Sequence, residues 1–144
     1  MRPQVDLILR GGLVLAMERL GEAVPGDVVV DRGRIVAVGP GAGAAYDPLR
    51  VLDAGDAAVL PGFVQGHVHV VQSLLRHQAD GLELLDWLKR RTWPYEACLD
   101  GDGVEAAAVL GIAELLAGGT TTALDFGTTH DHDRVFATAE RLGI

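Results

Sequence analysis

The break at Pro61-Gly62 constrains this chain more than any other feature, because the hydrophobic pattern changes character there. Before it, apolar runs are short and separated by glycine-containing turns. After it, strand-like apolar runs alternate with stretches whose apolar residues recur near a 3.6 period. The first pattern suits a sheet of short strands, and the second is the rhythm of βα units on a parallel sheet. Two domains are expected: a small β domain over residues 1–60 and βα units over 61–144.

In the first part, residues 5–9 read as a strand, Gly11-Gly12 as a break and 13–17 as a resumption. Residues 27–30 and 34–38 flank Asp31-Arg32-Gly33, a compact loop suited to a β-hairpin. Residues 51–53 and 57–60 complete a small sheet or half of a sandwich. In the second part, 63–70 is one more strand, while 73–77 and 82–91 have helical spacing. Trp93-Pro94 is expected to stop the latter, since the residue before proline is pushed out of the helical region. Residues 103–117 predict a helix with Asp102 as N-cap and Gly118-Gly119 as its stop. A strand over 120–126 and a helix over 133–142 follow.

Composition narrows the function classes. With 144 residues, 49% apolar and 22% charged, the chain can bury an ordinary core and is not of disordered type. A net charge of −8 argues against a nucleic-acid or membrane-surface footprint. The densest basic run, Lys89-Arg90-Arg91, reads as a solvated helix face. The single cysteine, Cys98, excludes an internal disulfide and reads as a small packed residue. An early acid and the lack of any apolar run near ~18 residues predict a soluble, cytoplasmic protein.

The chemistry-bearing feature is His67-Val68-His69. Two residues apart at the end of an apolar strand, the imidazoles project to one face and can share a divalent cation. H-x-H alone is a weak signal, more often structural than metal-binding. Its place at the C-terminal end of a strand that opens a βα unit, where parallel barrels keep their active sites, strengthens it. Trp87 and Trp93 read as packing residues, and His77 has no evident partner. Asp125, at a strand end, reads as a loop anchor. His130, Asp131, His132 and Asp133 resemble a second metal cluster, but acids at a helix start are favoured as caps.

The segment Pro61-Gly62-Phe63-Val64-Gln65-Gly66-His67-Val68-His69 resembles the first barrel strand of the amidohydrolase superfamily. Gln72-Ser73-Leu74-Leu75-Arg76, then Ala79-Asp80 through Leu84-Leu85-Asp86-Trp87-Leu88, resemble its chlorohydrolase and aminohydrolase branch. Trp93-Pro94-Tyr95-Glu96 and the run from Gly118-Gly119-Thr120 to Gly127-Thr128 are similar to deaminases of S-adenosylhomocysteine, methylthioadenosine and 5′-deoxyadenosine. Asp31-Arg32-Gly33-Arg34-Ile35 resembles that family's small β domain. The resemblance covers nearly the whole chain.

It implies the N-terminal part of a (β/α)8 metal-dependent hydrolase barrel, preceded by a small β-sandwich-like domain. It implies a zinc, or sometimes iron (Fe2+), held in part by His67 and His69. This metal activates a water that attacks a ring carbon of a purine nucleoside-type substrate and expels ammonia. Glu96 matches a glutamate that binds ribose hydroxyls, against the plainer reading of a solvated loop carboxylate. Gln72 matches a position near the substrate ring. Guanine deamination and triazine-type dechlorination or deamination are the alternatives within the class. The partner is a small molecule, with no nucleic acid or membrane, and a homo-oligomer is compatible.

The departure is one of length. A full barrel takes ~250 residues, about thirty per unit, so the stretch after Pro61 holds two or three units of eight. The general base and acid and the remaining ligands are therefore expected beyond residue 144. The chain reads as a fragment with an incomplete barrel, or as a non-catalytic remnant.

Overall fold

The computed structural model describes residues 1–19, 21–78 and 80–144, so Ala79 of the resemblance lies outside the described residues. The chain divides into two compact units, Met1–Pro61 and Gly62–Ile144.

The first unit is one mixed sheet. Strands β1 (Gln4–Val14), β2 (Val24–Asp31), β3 (Arg34–Gly39), β4 (Asp47–Asp53) and β5 (Ala58–Val59) form it. Its order is β3-β2-β1-β4, with β5 beside the far end of β1. β2 runs antiparallel to β1 and β3, whereas β4 and β5 run parallel to β1. The hairpin expected at Asp31-Arg32-Gly33 forms between β2 and β3. Buried Val5, Ile8 and Val29 make the core, with Ala37, Ala42 and Tyr46 packed against them. Among the described residues of this unit a single sheet forms, rather than two facing ones.

The glycine pair Gly11-Gly12 does not break the first strand. The β1–β2 register shifts between Leu9 and Gly12, so a bulge replaces the break. Gly11 takes φ +74°, a conformation that costs a side-chain-bearing residue, and its N–H donates to Asp27 at 2.9 Å. Asp27 is buried and its second oxygen accepts from Gly43 N–H at 3.0 Å. One carboxylate thus satisfies two backbone donors that the ladder leaves over.

The second unit is a βα unit and its continuation. Strands β6 (Phe63–Val68) and β7 (Thr120–Asp125) pair in parallel. Between them come a 3₁₀ segment (Val70–Leu75), α1 (Leu84–Trp87), a π-helical turn (Leu88–Thr92), α2 (Trp93–Cys98) and α3 (Gly101–Ala117). Helix α4 (His132–Leu142) follows β7. Val70, Val71, Val104, Ala107, Ala108, Ile112 and Val135 form the core, where α3 meets the 3₁₀ segment and α4. Gly111 permits that approach: a Cβ there would lie 2.6 Å from the Val70 carbonyl oxygen.

Several local expectations are corrected. The span 73–77 is not an α-helix, because a 3₁₀ segment begins at Val70 and ends at Leu75. Trp93-Pro94 does not stop the helical path. Trp93 is helical (φ −64°, ψ −43°), and its N–H bonds to Leu88 O across a widened turn. The π turn places Pro94 in the first turn of α2, where a missing N–H costs little. Helix α3 starts earlier than expected, capped by Asp100, which accepts from Gly103 N–H at 2.8 Å. Asp102 lies inside the first turn, where its charge complements the dipole.

Two packing expectations also fail: Cys98 and Trp93 are both exposed. The basic run Lys89-Arg90-Arg91 is exposed as expected. No helix among the described residues is long and apolar enough to cross a membrane.

Candidate metal centre

β6 and β7 end side by side. The Phe126 N–H donates to Val68 O at 2.8 Å, which carries the pairing to the last residues of both strands. This brings His67 of β6 and His69 just after it against Phe126 and Gly127, the residues that follow β7. The His67 ring stacks on Phe126 with centroids 3.9 Å apart, and His69 lies 5.7 Å from the same ring. His69 Nδ1 stands 3.5 Å from the Gly127 carbonyl, a contact that favours Nε2 as the free lone pair.

The two imidazoles stand 5.3 Å apart, centroid to centroid, with ring planes at 66°. Two rings sharing one tetrahedral zinc at Zn–N distances of about 2.0–2.1 Å have centroids roughly 5 Å apart. The separation of the pair matches that of two imidazoles on one zinc. Among the described residues, no group of three or more His, Cys, Asp or Glu comes together to complete it.

Asp125 is engaged elsewhere, as expected: it accepts from Val70 N–H at 3.2 Å and fixes the chain just after His69. The 3₁₀ segment begins there, with Gln72 N–H donating to His69 O at 3.1 Å. Gln72 is thus one short turn beyond the histidine pair. Its side-chain amide donates to Glu96 Oε1 at 2.9 Å. The two residues assigned to substrate on resemblance are in contact.

Glu96 is not a solvated loop carboxylate. It lies on α2 and is 4% exposed. Gln72 is the partner of Oε1, and Oε2 has no partner among the described residues. One turn earlier, Thr92 is equally buried, and its hydroxyl finds no partner among the described residues. The interior face of this helical path is polar at both positions. Tyr95 ties the path to the 3₁₀ segment, its hydroxyl donating to Val71 O at 3.1 Å. Burial raises the Tyr95 pKa, keeping that hydroxyl a donor.

In the segment 130–133, Asp133 lies in the first turn of α4 as expected, whereas Asp131 does not cap. Asp131 occupies the N-cap position of α4 in a left-handed conformation, φ 54° and ψ 35°, and its side chain makes no capping bond. Its carboxylate instead meets His130 Nδ1 at 2.6 Å, while His130 Nε2 lies 3.0 Å from the Glu96 carbonyl oxygen. His132 Nε2 accepts from Thr128 N–H at 2.9 Å and so closes the loop before α4. No second metal cluster forms here among the described residues. His77 does have a neighbour, Asp80, at 3.4 Å on the surface.

Sequence reasoning missed the Phe126 stack, buried Thr92 and the His130–Glu96 contact. Phe126 carried a signal, since it closes the strand paired with the one that bears the histidines. The other two depend on how α2 lies against the strand ends, for which no sequence spacing speaks.

The C-terminal ends of parallel strands, where these histidines stand, are where parallel βα-barrel enzymes keep their active sites. The model of the amidohydrolase family matches residues 58–144, and the chain belongs to that family. The relatives are more particular. A 5-methylthioadenosine/S-adenosylhomocysteine deaminase of Symbiobacterium thermophilum is 41% identical over 83% of this chain and 28% of its own length. The enzyme of the same description from Nitratidesulfovibrio vulgaris is 39% identical over 88% of this chain and 29% of its own. A crystal structure of an adenosine deaminase from Xanthomonas campestris with bound zinc matches with a TM-score of 0.89 and 34% identity. That match covers 98% of this chain and 33% of the other. The chain thus spans under a third of the length of these relatives.

Proposed function

We propose that these 144 residues contribute a metal half-site and a substrate-binding pair to a metal-dependent deaminase of purine nucleoside-type substrates. The observation that carries this reading is convergence at one set of strand ends. His67 and His69 stand at zinc-sharing separation, and the buried Gln72–Glu96 pair begins one 3₁₀ turn away. The relatives' descriptions support the nucleoside class: two act on 5-methylthioadenosine and S-adenosylhomocysteine, and one is an adenosine deaminase.

His67 and His69 would hold zinc, or ferrous iron, on two of its positions. Bound there, the ion supplies Lewis acidity that lowers the pKa of a water toward about 7. Phe126 fixes the His67 ring plane by stacking, and Gly127 O fixes the His69 tautomer. The free Oε2 of Glu96 would accept from a ribose hydroxyl, while Gln72 holds the other oxygen in place. Further ligands and a proton-transferring base complete such a centre. They are assigned to strands beyond the two described, making this chain a piece of a larger enzyme.

Surface chemistry supports that assignment. The two-stranded sheet exposes Phe63, Val64, Leu124 and Phe126, and α4 exposes Phe136 at 72%. Apolar residues on strands of a parallel sheet are ordinarily covered on both faces.

The test is zinc binding to the full chain, followed by titration with 5′-methylthioadenosine. One zinc per chain, lost in His67→Ala and His69→Ala, together with nucleoside binding lost in Glu96→Ala, is expected. Zinc retained by the double histidine variant would overturn the half-site. Ammonia release by the zinc-loaded chain, lost on His67→Ala, would overturn the assignment of the base to other strands.

A further inference from the structure

His130 faces two acceptors at once. The Glu96 carbonyl oxygen can only accept, so Nε2, 3.0 Å away, must donate. The Asp131 carboxylate also accepts, so Nδ1, 2.6 Å away, must donate as well. A neutral imidazole has a single N–H and can satisfy one of these. The geometry therefore demands an imidazolium, held between the loop that leaves β7 and the last turn of α2.

That placement acts on Glu96 through its main chain. The hydrogen bond pins the Glu96 main chain near the end of α2, where carbonyl groups are short of partners and a cation is favoured. Leu99 N–H shares the same oxygen at 3.2 Å. Asp131 accepts a left-handed backbone, uncommon for a residue with a side chain, and its carboxylate makes the His130 contact from there.

We propose that His130, oriented and charged by Asp131, is a positioning residue that sets Glu96 for a nucleoside's vicinal hydroxyls. It touches no substrate itself. Its effect passes through the Glu96 main chain, whose carbonyl it holds. This inference rests on the nucleoside reading of Glu96 given above.

The experiment uses the full chain, with adenosine as the probe. Nitrogen-15 NMR at neutral pH is expected to show protons on both His130 ring nitrogens, and on one only in Asp131→Asn. A singly protonated ring in the native chain would overturn the proposal. Side-chain exchange of the Gln72 amide gives a readout independent of substrate. It is expected to be slowed in the native chain, fast in His130→Ala and partly slowed again in His130→Gln, which keeps one donor for Glu96 O. Equal exchange in all three would overturn the positioning role.

Adenosine affinity is expected to fall tenfold or more in His130→Ala, with part recovered in His130→Gln and the unfolding midpoints close together. Unchanged affinity would overturn the proposal. A native chain that binds no adenosine would instead sink the nucleoside reading, and Gln72 exchange would still decide the positioning role.

Discussion

Among the described residues each unit buries one carboxylate, and the two are bonded differently. Asp27, in the sheet of the first unit, spends both oxygens on backbone N–H groups of Gly11 and Gly43. Glu96, in the second, holds one side-chain amide and keeps an oxygen free. A buried polar group with every valence satisfied is a structural part. One whose second oxygen has no partner among the described residues is, under the proposed function, a binding part. Burial and charge alone do not separate the two; the count of filled acceptor positions does.

The largest expected effect tests the second unit's site. His67→Ala or His69→Ala should weaken zinc binding by at least about tenfold, read by calorimetry, since half the available ligands are lost. An unchanged affinity would remove the ground for calling the strand ends a site. Next comes the contrast itself. Asp27→Ala should cost about 2–4 kcal/mol in urea unfolding, because two N–H groups lose their acceptor. Glu96→Met should cost under about 1 kcal/mol, as replacing an incompletely paired carboxylate by an apolar chain is often neutral or better. The comparison fails if the two changes destabilise equally.

Gly111→Ala is expected to cost about 1–3 kcal/mol, because the new methyl must displace α3 from the Val70 carbonyl. The unfolding midpoint would show it. The smallest effect is one of pH. The Asp131 hydrogen bond, followed by that to Glu96 O, raises the His130 pKa above its usual value. A group raised on folding lends stability that is complete below the unfolded value, about 6.5. That stability is lost as pH rises through the higher folded value. Unfolding midpoints should therefore slip over that window in the native chain and stay level in His130→Gln.

Much of the fold was legible because its signals were local. The hairpin at Asp31-Arg32-Gly33 and the period of α3 needed only neighbours in sequence. The misreadings share one cause, a tertiary partner that outweighs a local rule. Gly11-Gly12 looked like a stop, yet Asp27, sixteen residues on, turns it into a bulge. Trp93-Pro94 looked like a helix end, yet Trp93 stays helical after a widened turn and Pro94 falls in the first turn of α2. Asp131 looked like a cap, yet His130 draws its side chain away from the helix, while Asp133 does lie in the first turn. Of the candidate site, the nearness of His67 and His69 was legible because they are two residues apart at the end of a strand. The burial of Glu96 was not, since a single carboxylate gives no sign of which way its helix faces.

The π-helical turn at Leu88–Thr92 has a consequence for how this segment tolerates change. An extra residue in one turn rotates everything after it by about 100° relative to a regular helix. Removing one residue from that turn would leave composition and hydropathy almost untouched. It would nevertheless swing Thr92 and Glu96 out of the interior. The segment should accept many substitutions on its exposed side and very few changes in length, so that spacing rather than residue type is what the carboxylate depends on.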